Sequence, residues 1–285
     1  MVLPTFLGIG APKCGSTWIH ELLQQHPDVY MPTKRKEINY FNLEENYQKG
    51  LGWYESFFPS VEEAKSYQTI GEFTPRYLYQ PEKCARRISN LNTVEKIIII
   101  LRNPTKRSYS QYCHALRAGH NRGSFSDFLE DKPRIVKHGF YAKNLQPFFD
   151  RFDRDKICCF IFEESINDIC NTKKKIADFL GISVDAFPAG AGNRQVNYSY
   201  VPKMKWLNNY AAQLNRKLTE KDLDWAINLS KSIGAKKLLQ LGSQKIPALD
   251  RENREKLDNL FAPDIANLEK LLNINLDVWR TSSLS

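Results

Sequence analysis

The chain has 285 residues, a formal net charge of +9 at pH 7, and 42% hydrophobic and 26% charged residues. This length can bury a large core, and the composition is that of a soluble globular protein. No apolar run approaches the roughly 20 residues of a membrane span, and the first residues carry neither the basic region nor the cleavage site of a signal peptide. We therefore expect a cytoplasmic protein that does not interact with membranes.

The positive charge favours acidic partners, such as a polyphosphorylated cofactor, an anionic glycan or an acidic carrier protein. Nucleic acid is not expected as a partner, because the lysines and arginines are scattered and no recognition helix or ribonucleoprotein signature is present. The six cysteines form no C-x-x-C pair and have no histidine at zinc-like spacing. Reduced thiols and no metal site are therefore predicted.

The first predicted element is an apolar strand from Phe6 to Ile9, which breaks at Gly10 and is followed by a helix to about His26. The loop between them forms a phosphate cradle, because free backbone N–H groups and the positive end of the helix dipole meet there. In the nucleotide triphosphatase loop the lysine follows the second glycine, whereas Lys13 precedes Gly15 by two residues. The loop therefore predicts a phosphate site without the usual magnesium–nucleotide grip.

Further strands are predicted at 28–31, 69–73, 97–101 and 156–162, with helices at 81–90 and 108–117. The last strand is followed by an acidic turn at Glu163 and Glu164 and by a helix that ends at Leu180. Strands that alternate with helices indicate an α/β fold, with a central parallel sheet over about residues 5–182 flanked by helices. The remainder is mainly helical over about 203–282. Its helices are predicted at 206–214, 222–233, 251–261 and 265–272, all within one P-loop-like domain over 1–285.

Arg102 follows the predicted strand at 97–101, where a nucleotide triphosphatase tends to place a metal-holding aspartate. Ligands of parallel α/β sheets bind beyond the carboxyl ends of the strands, so Lys13 and Arg102 can converge. Ser110, on the following helix, would add a hydroxyl donor to the guanidinium of Arg102 at a second phosphate. Because arginine repels a divalent metal, we predict a cofactor with two separate phosphate groups and no requirement for a metal.

These stretches resemble a known family. Residues 12–18, Pro-Lys-Cys-Gly-Ser-Thr-Trp, look like the 5′-phosphosulfate loop of sulfotransferases that use 3′-phosphoadenosine-5′-phosphosulfate (PAPS). Residues 102–110 resemble the 3′-phosphate element of that family, and residues 36–41, Lys-Glu-Ile-Asn-Tyr-Phe, are similar to the K-E-x-x-[FY]-F segment of its heparan-type branch. The resemblance covers roughly residues 5–182. The bacterial and polyketide-embedded sulfotransferases belong to the same branch that the chain resembles.

Two departures from the heparan-type branch bear on the acceptor. Phe73 stands where that branch commonly carries a lysine after the glutamate that matches Glu72. The region 192–205 offers Arg194, Lys203 and Lys205 without the disulfide-flanked, lysine–glycine-rich loop of the branch. An anionic glycan acceptor is therefore less favoured, and an apolar or carrier-borne alcohol is more favoured.

The resemblance implies transfer of a sulfuryl group from PAPS to an acceptor alcohol, with adenosine 3′,5′-bisphosphate (PAP) as product. It assigns donor binding to Lys13, Cys14, Gly15, Ser16, Thr17, Trp18, Arg102 and Ser110. Lys13 would stabilise the leaving phosphate. Either Glu37 or His114, which lies four residues past Ser110 on the same helix face, would act as the base.

The acceptor could be a small molecule, a glycan or a hydroxyacyl chain on an acidic carrier protein. Two alternatives to a sulfotransferase stay open at this point. The first is a P-loop-like kinase, which would need Mg²⁺ and ATP. The second is a non-catalytic nucleotide-binding protein, which would have no use for Glu37.

Overall fold

The structure, a computed structural model, describes residues 1–121, 123–193, 200–201, 244–245 and 248–281. It divides into two compact units. The first comprises Met1–Pro104, Phe140–Val196 and Phe261–Ser285, and the second comprises Thr105–Gly139 and Asn197–Leu260. The single-domain organisation stays a prediction. The helices predicted at 206–214 and 222–233, and the cations Arg194, Lys203 and Lys205, lie outside the described residues.

The first unit contains a five-stranded parallel sheet, which confirms the predicted α/β class. Its strands are β1 Phe6–Gly10, β2 Val29–Tyr30, β3 Thr69–Phe73, β4 Lys96–Leu101 and β5 Ile157–Ile161. The strand order is β2-β3-β1-β4-β5, and every pairing is parallel. The segments that follow β1, β3 and β4 therefore leave the same edge of the sheet, with the β1 loop in the middle.

The predicted β-branched run is buried on both faces of the sheet. Every residue from Ile97 to Leu101 is completely inaccessible to solvent. Such continuous burial is typical of a parallel sheet covered by helices on both sides. A short antiparallel pair, β6 Tyr200–Val201 and β7 Gln244–Lys245, belongs to the second unit.

The helices of the described residues follow in chain order. They are α1 Ser16–Gln24, α2 Glu44–Tyr47, α3 Gly50–Glu55, α4 Val61–Ala64, α5 Pro81–Ser89, α6 Pro104–Arg117, α7 Phe125–Asp131, α8 Arg134–Lys137, α9 Tyr141–Phe149, α10 Phe162–Asn167, α11 Ile169–Leu180, α12 Arg251–Leu272 and α13 Asp277–Thr281. Short 3₁₀ helices occupy Pro75–Tyr79, Arg154–Lys156 and Val184–Ala186. In the described part of the chain no helix is long and apolar enough to cross a bilayer.

Two helix starts differ from the sequence prediction. α6 begins at Pro104 rather than at Ser108, because proline suits the first helical turn, where its missing N–H is not needed. Glu163 and Glu164 were expected in a turn but lie in the first turn of α10. Carboxylates are favourable there, because they face the positive end of the helix dipole.

The two helices predicted at 251–261 and 265–272 form one helix, α12, which includes Pro263. Proline in a helix interior removes one backbone hydrogen bond. Phe261 and Leu268 are nevertheless both completely buried, at a spacing of seven residues across the proline. Continuous burial of this apolar stripe accounts for a helix that continues past Pro263.

Candidate active site

The loop that leaves β1 has the geometry of the predicted phosphate cradle. The Ala11 amide donates to a carbonyl oxygen of β4 at 2.8 Å, which ties the loop to the neighbouring strand. Lys13 and Gly15 adopt left-handed backbone conformations, with φ of 70° and 95°. A Cβ atom at position 15 would lie 2.4 Å from the Phe162 ring. Backbone conformation and close approach therefore both require glycine at this position.

α1 begins at Ser16, directly after this loop, and carries no acidic residue in its first turn. The first amides of a helix have no intrahelical partner and favour an anion. The Ser16 side chain is buried and Thr17 is exposed. Lys36 Nζ donates to Thr17 Oγ1 at 2.7 Å, which places a second lysine beside the loop of Lys13. Lys36 had no assigned role in the sequence analysis, although it belongs to the segment that carries Glu37.

Cys14 and Trp18 point into the first unit. The Cys14 side chain is completely buried, with Sγ 3.4 Å from the Tyr141 hydroxyl oxygen. The Trp18 indole N–H donates to the Gly192 carbonyl oxygen at 2.7 Å. Both side chains therefore hold the shape of the loop, and donor contact by these two residues stays a prediction.

His20 lies on α1, one turn past Ser16, and is buried. Burial lowers the pKa of His20 to about 4, and the positive charge of Lys36 acts in the same direction. The imidazole is therefore neutral at neutral pH and adds no charge beneath the cradle.

Arg102 stands directly after β4, as predicted, and its guanidinium is held against an aromatic ring. Its Cζ lies 5.2 Å from the centroid of Phe162, and its carbonyl oxygen accepts from the Tyr141 hydroxyl at 2.9 Å. Arg102 Nε is buried and has no hydrogen-bond partner among the described residues. The nearest carboxylate oxygen, from Glu163, lies 4.0 Å away, which is too far for a hydrogen bond.

Glu163 joins the turn after β4 to the last described helix. One of its oxygens accepts the Asn103 amide at 3.1 Å, and the other accepts the Trp279 indole N–H at 3.0 Å. The Asn103 side chain in turn donates to the Trp279 carbonyl oxygen at 3.1 Å. This three-residue clasp fixes the turn that carries Arg102.

Glu37 lies directly after Lys36, and its side chain is 35% exposed. The Arg76 side chain, which is 63% exposed, places its Nε 4.0 Å from Glu37 Oε2. A pair this long and this exposed constrains the carboxylate weakly. Glu37 is thus an accessible carboxylate in the same unit as Lys13 and Arg102.

Ser110 and His114 lie on α6, in the second unit. Their spacing of four residues places them on one face of this helix, as predicted. Ser110 is partly buried and His114 is exposed. Their meeting with Lys13 and Arg102 stays a prediction.

In the first unit Lys13 and Arg102 follow the ends of two neighbouring strands, Lys36 contacts Thr17 on the helix after the Lys13 loop, and Glu37 is the next residue. This arrangement can bind an anion through charge-assisted hydrogen bonds and offers a carboxylate as proton acceptor. No group of three His, Cys, Asp or Glu side chains within the described ranges could hold a metal ion.

Comparison with known proteins places these elements in a family. The family model described as "Sulfotransferase domain" matches residues 4–271. Heparan sulfate glucosamine 3-O-sulfotransferase 3A1 of Mus musculus is 29% identical over 189 residues, which cover 63% of this chain and 46% of that protein. Membrane-associated sulfotransferase kil1 of Dictyostelium discoideum is 38% identical over 112 residues, which cover 39% of this chain and 23% of that protein. The chain therefore spans less than half the length of these two curated relatives.

A solved structure supports the same fold. The crystal structure of a sulfotransferase from Alicyclobacillus acidocaldarius aligns with a TM-score of 0.70 at 24% identity, and covers 98% of this chain and 100% of that one. The family match extends over the loop after β1 and the turn after β4. The chain belongs to the sulfotransferase domain family.

Proposed function

We propose that this chain transfers the sulfuryl group of PAPS to the hydroxyl of an acceptor. PAPS is the donor characteristic of the family. The observation that carries the proposal is the position of the Lys13 loop and of Arg102, which follow two hydrogen-bonded neighbours, β1 and β4. Two cationic elements at one sheet edge suit a ligand with two separate phosphate groups.

The loop after β1 fits the 5′-phosphosulfate end of the donor. The left-handed turn at Gly15 leads into the first amides of α1, and no carboxylate of that helical turn opposes an anion. The Ser16 and Thr17 hydroxyls add donors. Lys13 would neutralise the negative charge that develops on the leaving phosphate oxygen.

Arg102 fits the 3′-phosphate. Its guanidinium is fixed by Phe162, and its buried Nε has no hydrogen-bond partner among the residues that the structure describes. A phosphate would supply an acceptor for such a donor. Ser110 would add a hydroxyl from α6.

Glu37 is the base in this proposal, in preference to His114. The neighbouring residue Lys36 donates from Nζ to Thr17 Oγ1 at 2.7 Å, and this contact of the preceding residue with the helix after the loop supports the choice of Glu37. The acceptor oxygen forms a bond to sulfur while the bond from sulfur to the 5′-phosphate oxygen breaks. The acceptor proton passes to Glu37, and the electron pair of the broken bond stays on the phosphate oxygen beside Lys13.

The acceptor is proposed to be an alcohol of one of three classes. One relative is named for heparan sulfate glucosamine, which favours a glycan. A hydroxyacyl chain on an acidic carrier protein and a small-molecule alcohol are the other classes. The net charge of +9 suits an anionic glycan or an acidic carrier protein.

Calorimetry with PAP and with 5′-AMP, each with and without EDTA, tests the donor site. Because the 3′-phosphate adds charge-assisted hydrogen bonds, PAP should bind about tenfold or more tightly than 5′-AMP, with no effect of EDTA. Mg²⁺-dependent binding of ATP in place of PAP would contradict the proposal and favour a kinase.

Acceptor-dependent release of PAP from PAPS tests the transfer itself. Suitable probe acceptors are a heparosan oligosaccharide for the glycan, a 3-hydroxyacyl pantetheine for the carrier-borne chain and 2-naphthol for the small-molecule alcohol. Release with one of them identifies the acceptor class. Tight PAP binding without release would favour a non-catalytic binding protein.

A further inference from the structure

Glu72 is a buried carboxyl group that the proposed mechanism does not use. It lies near the carboxyl end of β3 and is completely inaccessible to solvent. One oxygen accepts from the hydroxyls of Tyr54, at 3.1 Å, and Tyr77. The other oxygen accepts from Thr74 Oγ1 at 2.7 Å. Burial raises the pKa of Glu72 to about 7, the three hydroxyl donors act against that rise, and the charge of Glu37 adds to it.

Two of these three hydroxyls also hold the main chain of the segment that carries Glu37. The Asn39 amide donates to Thr74 Oγ1 at 3.3 Å, and the Tyr40 amide donates to the Tyr77 hydroxyl oxygen at 3.2 Å. The Asn39 side chain donates to the Glu37 carbonyl oxygen at 2.9 Å. A continuous path of hydrogen bonds therefore links Glu72 to the backbone of Glu37.

The direction of each hydrogen bond in this path is set by the carboxylate. A hydroxyl has a single proton, and Glu72 can only accept in its ionised form, which predominates above its pKa of about 7. In that form Thr74 and Tyr77 give their protons to Glu72 and present oxygen lone pairs to the amides of Asn39 and Tyr40. Replacing the carboxylate by an amide, which also donates, would turn one hydroxyl proton toward a backbone N–H and break that contact.

We infer that Glu72 is a positioning residue for the reaction: through Thr74 and Tyr77 it fixes the backbone of the 37–41 segment, and so the place of the Glu37 carboxylate at the donor loop. This inference rests on the proposed function of Glu37. Displacement of a catalytic group by about 1 Å can lower turnover about a hundredfold, so fixing this segment bears directly on the rate.

Glu72→Gln tests the inference, with Tyr54→Phe as the matched control. Tyr54 also donates to Glu72, but its hydroxyl is not bonded to an amide of the segment. Glu72→Gln should lower kcat by about tenfold or more, leave the Kd of PAP within about twofold, and accelerate hydrogen exchange of the Asn39 and Tyr40 amides. Tyr54→Phe should leave all three quantities near the wild-type values. Equal effects of the two variants would overturn the inference.

A second pair of variants keeps the test valid if Glu72→Gln does not fold. Thr74→Val removes the hydroxyl that bridges Glu72 and the Asn39 amide, and Thr74→Ser keeps it. Thr74→Val should lower kcat and expose the Asn39 amide, whereas Thr74→Ser should retain most of the turnover. A Thr74→Val enzyme with wild-type kcat and amide protection would contradict the inference.

The double variant Glu37→Gln/Glu72→Gln separates this inference from the proposed function. If Glu72 acts through Glu37, the double variant is no slower than Glu37→Gln alone. If the two losses multiply, Glu72 acts by another route and the inference fails. If Glu37→Gln alone leaves turnover unchanged, the assignment of the base fails, and the inference fails with it.

Discussion

The loop at 10–17 and the segment at 37–41 lie in the same compact unit, but they are held in different ways. The loop combines a left-handed turn at Gly15, packed on Phe162, with contacts from Cys14 to Tyr141 and from Trp18 to Gly192. The segment is held by two hydroxyls, from Thr74 directly after β3 and from Tyr77 in the 3₁₀ helix that follows. The difference teaches that the loop depends on a backbone conformation at Gly15 that its sequence indicates, whereas the place of the 37–41 segment depends on side-chain hydroxyls that no local pattern indicates.

The largest expected effect lies in the 37–41 segment. Glu37→Gln should lower kcat by about 100- to 10,000-fold, because an amide cannot take the acceptor proton. The Kd of PAP, measured by calorimetry, should stay near the wild-type value, since the shape of the loop at 10–17 does not depend on the Glu37 side chain. A variant with normal turnover and weakened PAP binding would reverse the roles of the two regions. His114→Gln is the companion variant, and a larger loss of kcat in it would make His114 the base.

Acidification should change the free energy of unfolding through the two regions in opposite directions. Burial lowers the pKa of His20, on the helix after the loop, to about 4, so the native state binds fewer protons than the unfolded chain as the pH falls below 6.5. Burial raises the pKa of Glu72, beside the segment, to about 7, so the native state binds more protons than the unfolded chain between pH 7 and 4.5. Stability contributed by His20 is therefore lost on acidification, and stability contributed by Glu72 is gained, each by about 3 kcal/mol over the full window.

Urea unfolding at pH 7 and pH 4.5 measures both contributions. The free energy of unfolding should fall less between these pH values in His20→Gln than in the wild type, and it should fall more in Glu72→Gln. The same pH response in all three proteins would show that neither group titrates as its burial predicts.

Gly15→Ala disturbs the turn of the loop and its packing on Phe162. The new Cβ would meet the Phe162 ring at 2.4 Å in a backbone conformation with φ of 95°. Gly50→Ala is the matched control, because Gly50 has φ of 78° and nothing within 4 Å of an added Cβ. Gly15→Ala should lower the free energy of unfolding by about 2 kcal/mol more than Gly50→Ala, and should weaken PAP binding as well. Equal losses would mean that the approach to Phe162 contributes nothing.

Arg102→Ala should have the smallest effect of the series. Loss of one guanidinium should weaken PAP binding by about tenfold and leave 5′-AMP binding near its wild-type value, because 5′-AMP has no 3′-phosphate. Arg102→Lys keeps the charge and loses the planar guanidinium, so its affinity for PAP should lie between those of the wild type and Arg102→Ala. Equal weakening of PAP and 5′-AMP would place Arg102 at the 5′ end.

The strand, loop and helix start between residues 6 and 24 could be predicted because their signals are adjacent in the chain. A strand and a glycine directly before a helix indicate the turn at Gly15, and the apolar run at 97–101 indicates the strand that ends directly before Arg102. The parallel pairing of β1 and β4 then brings the two elements together, as the α/β pattern predicts.

The support of Glu37 could not be predicted in the same way. Tyr54, Thr74 and Tyr77 converge on Glu72 only after β3 and two other segments have packed. A glutamate at position 72 stands out in a buried strand, and that is the signal that could have singled it out. Its direction of action, toward the amides of residues 39 and 40, depends on side-chain geometry that no spacing rule contains.

The clasp of Glu163, Asn103 and Trp279 has a consequence for how the site opens. Asn103 and Trp279 are 176 positions apart in sequence, yet they are joined by a direct hydrogen bond. A turn completed by so remote a residue loses that bond whenever α13 detaches, so the turn and the helix should open in one sub-global unfolding event. We expect the Asn103 side-chain N–H, which donates to the Trp279 carbonyl oxygen, to lose its protection at the rate set by α13 rather than by β4. A ligand on Arg102 would then slow the release of α13 as well.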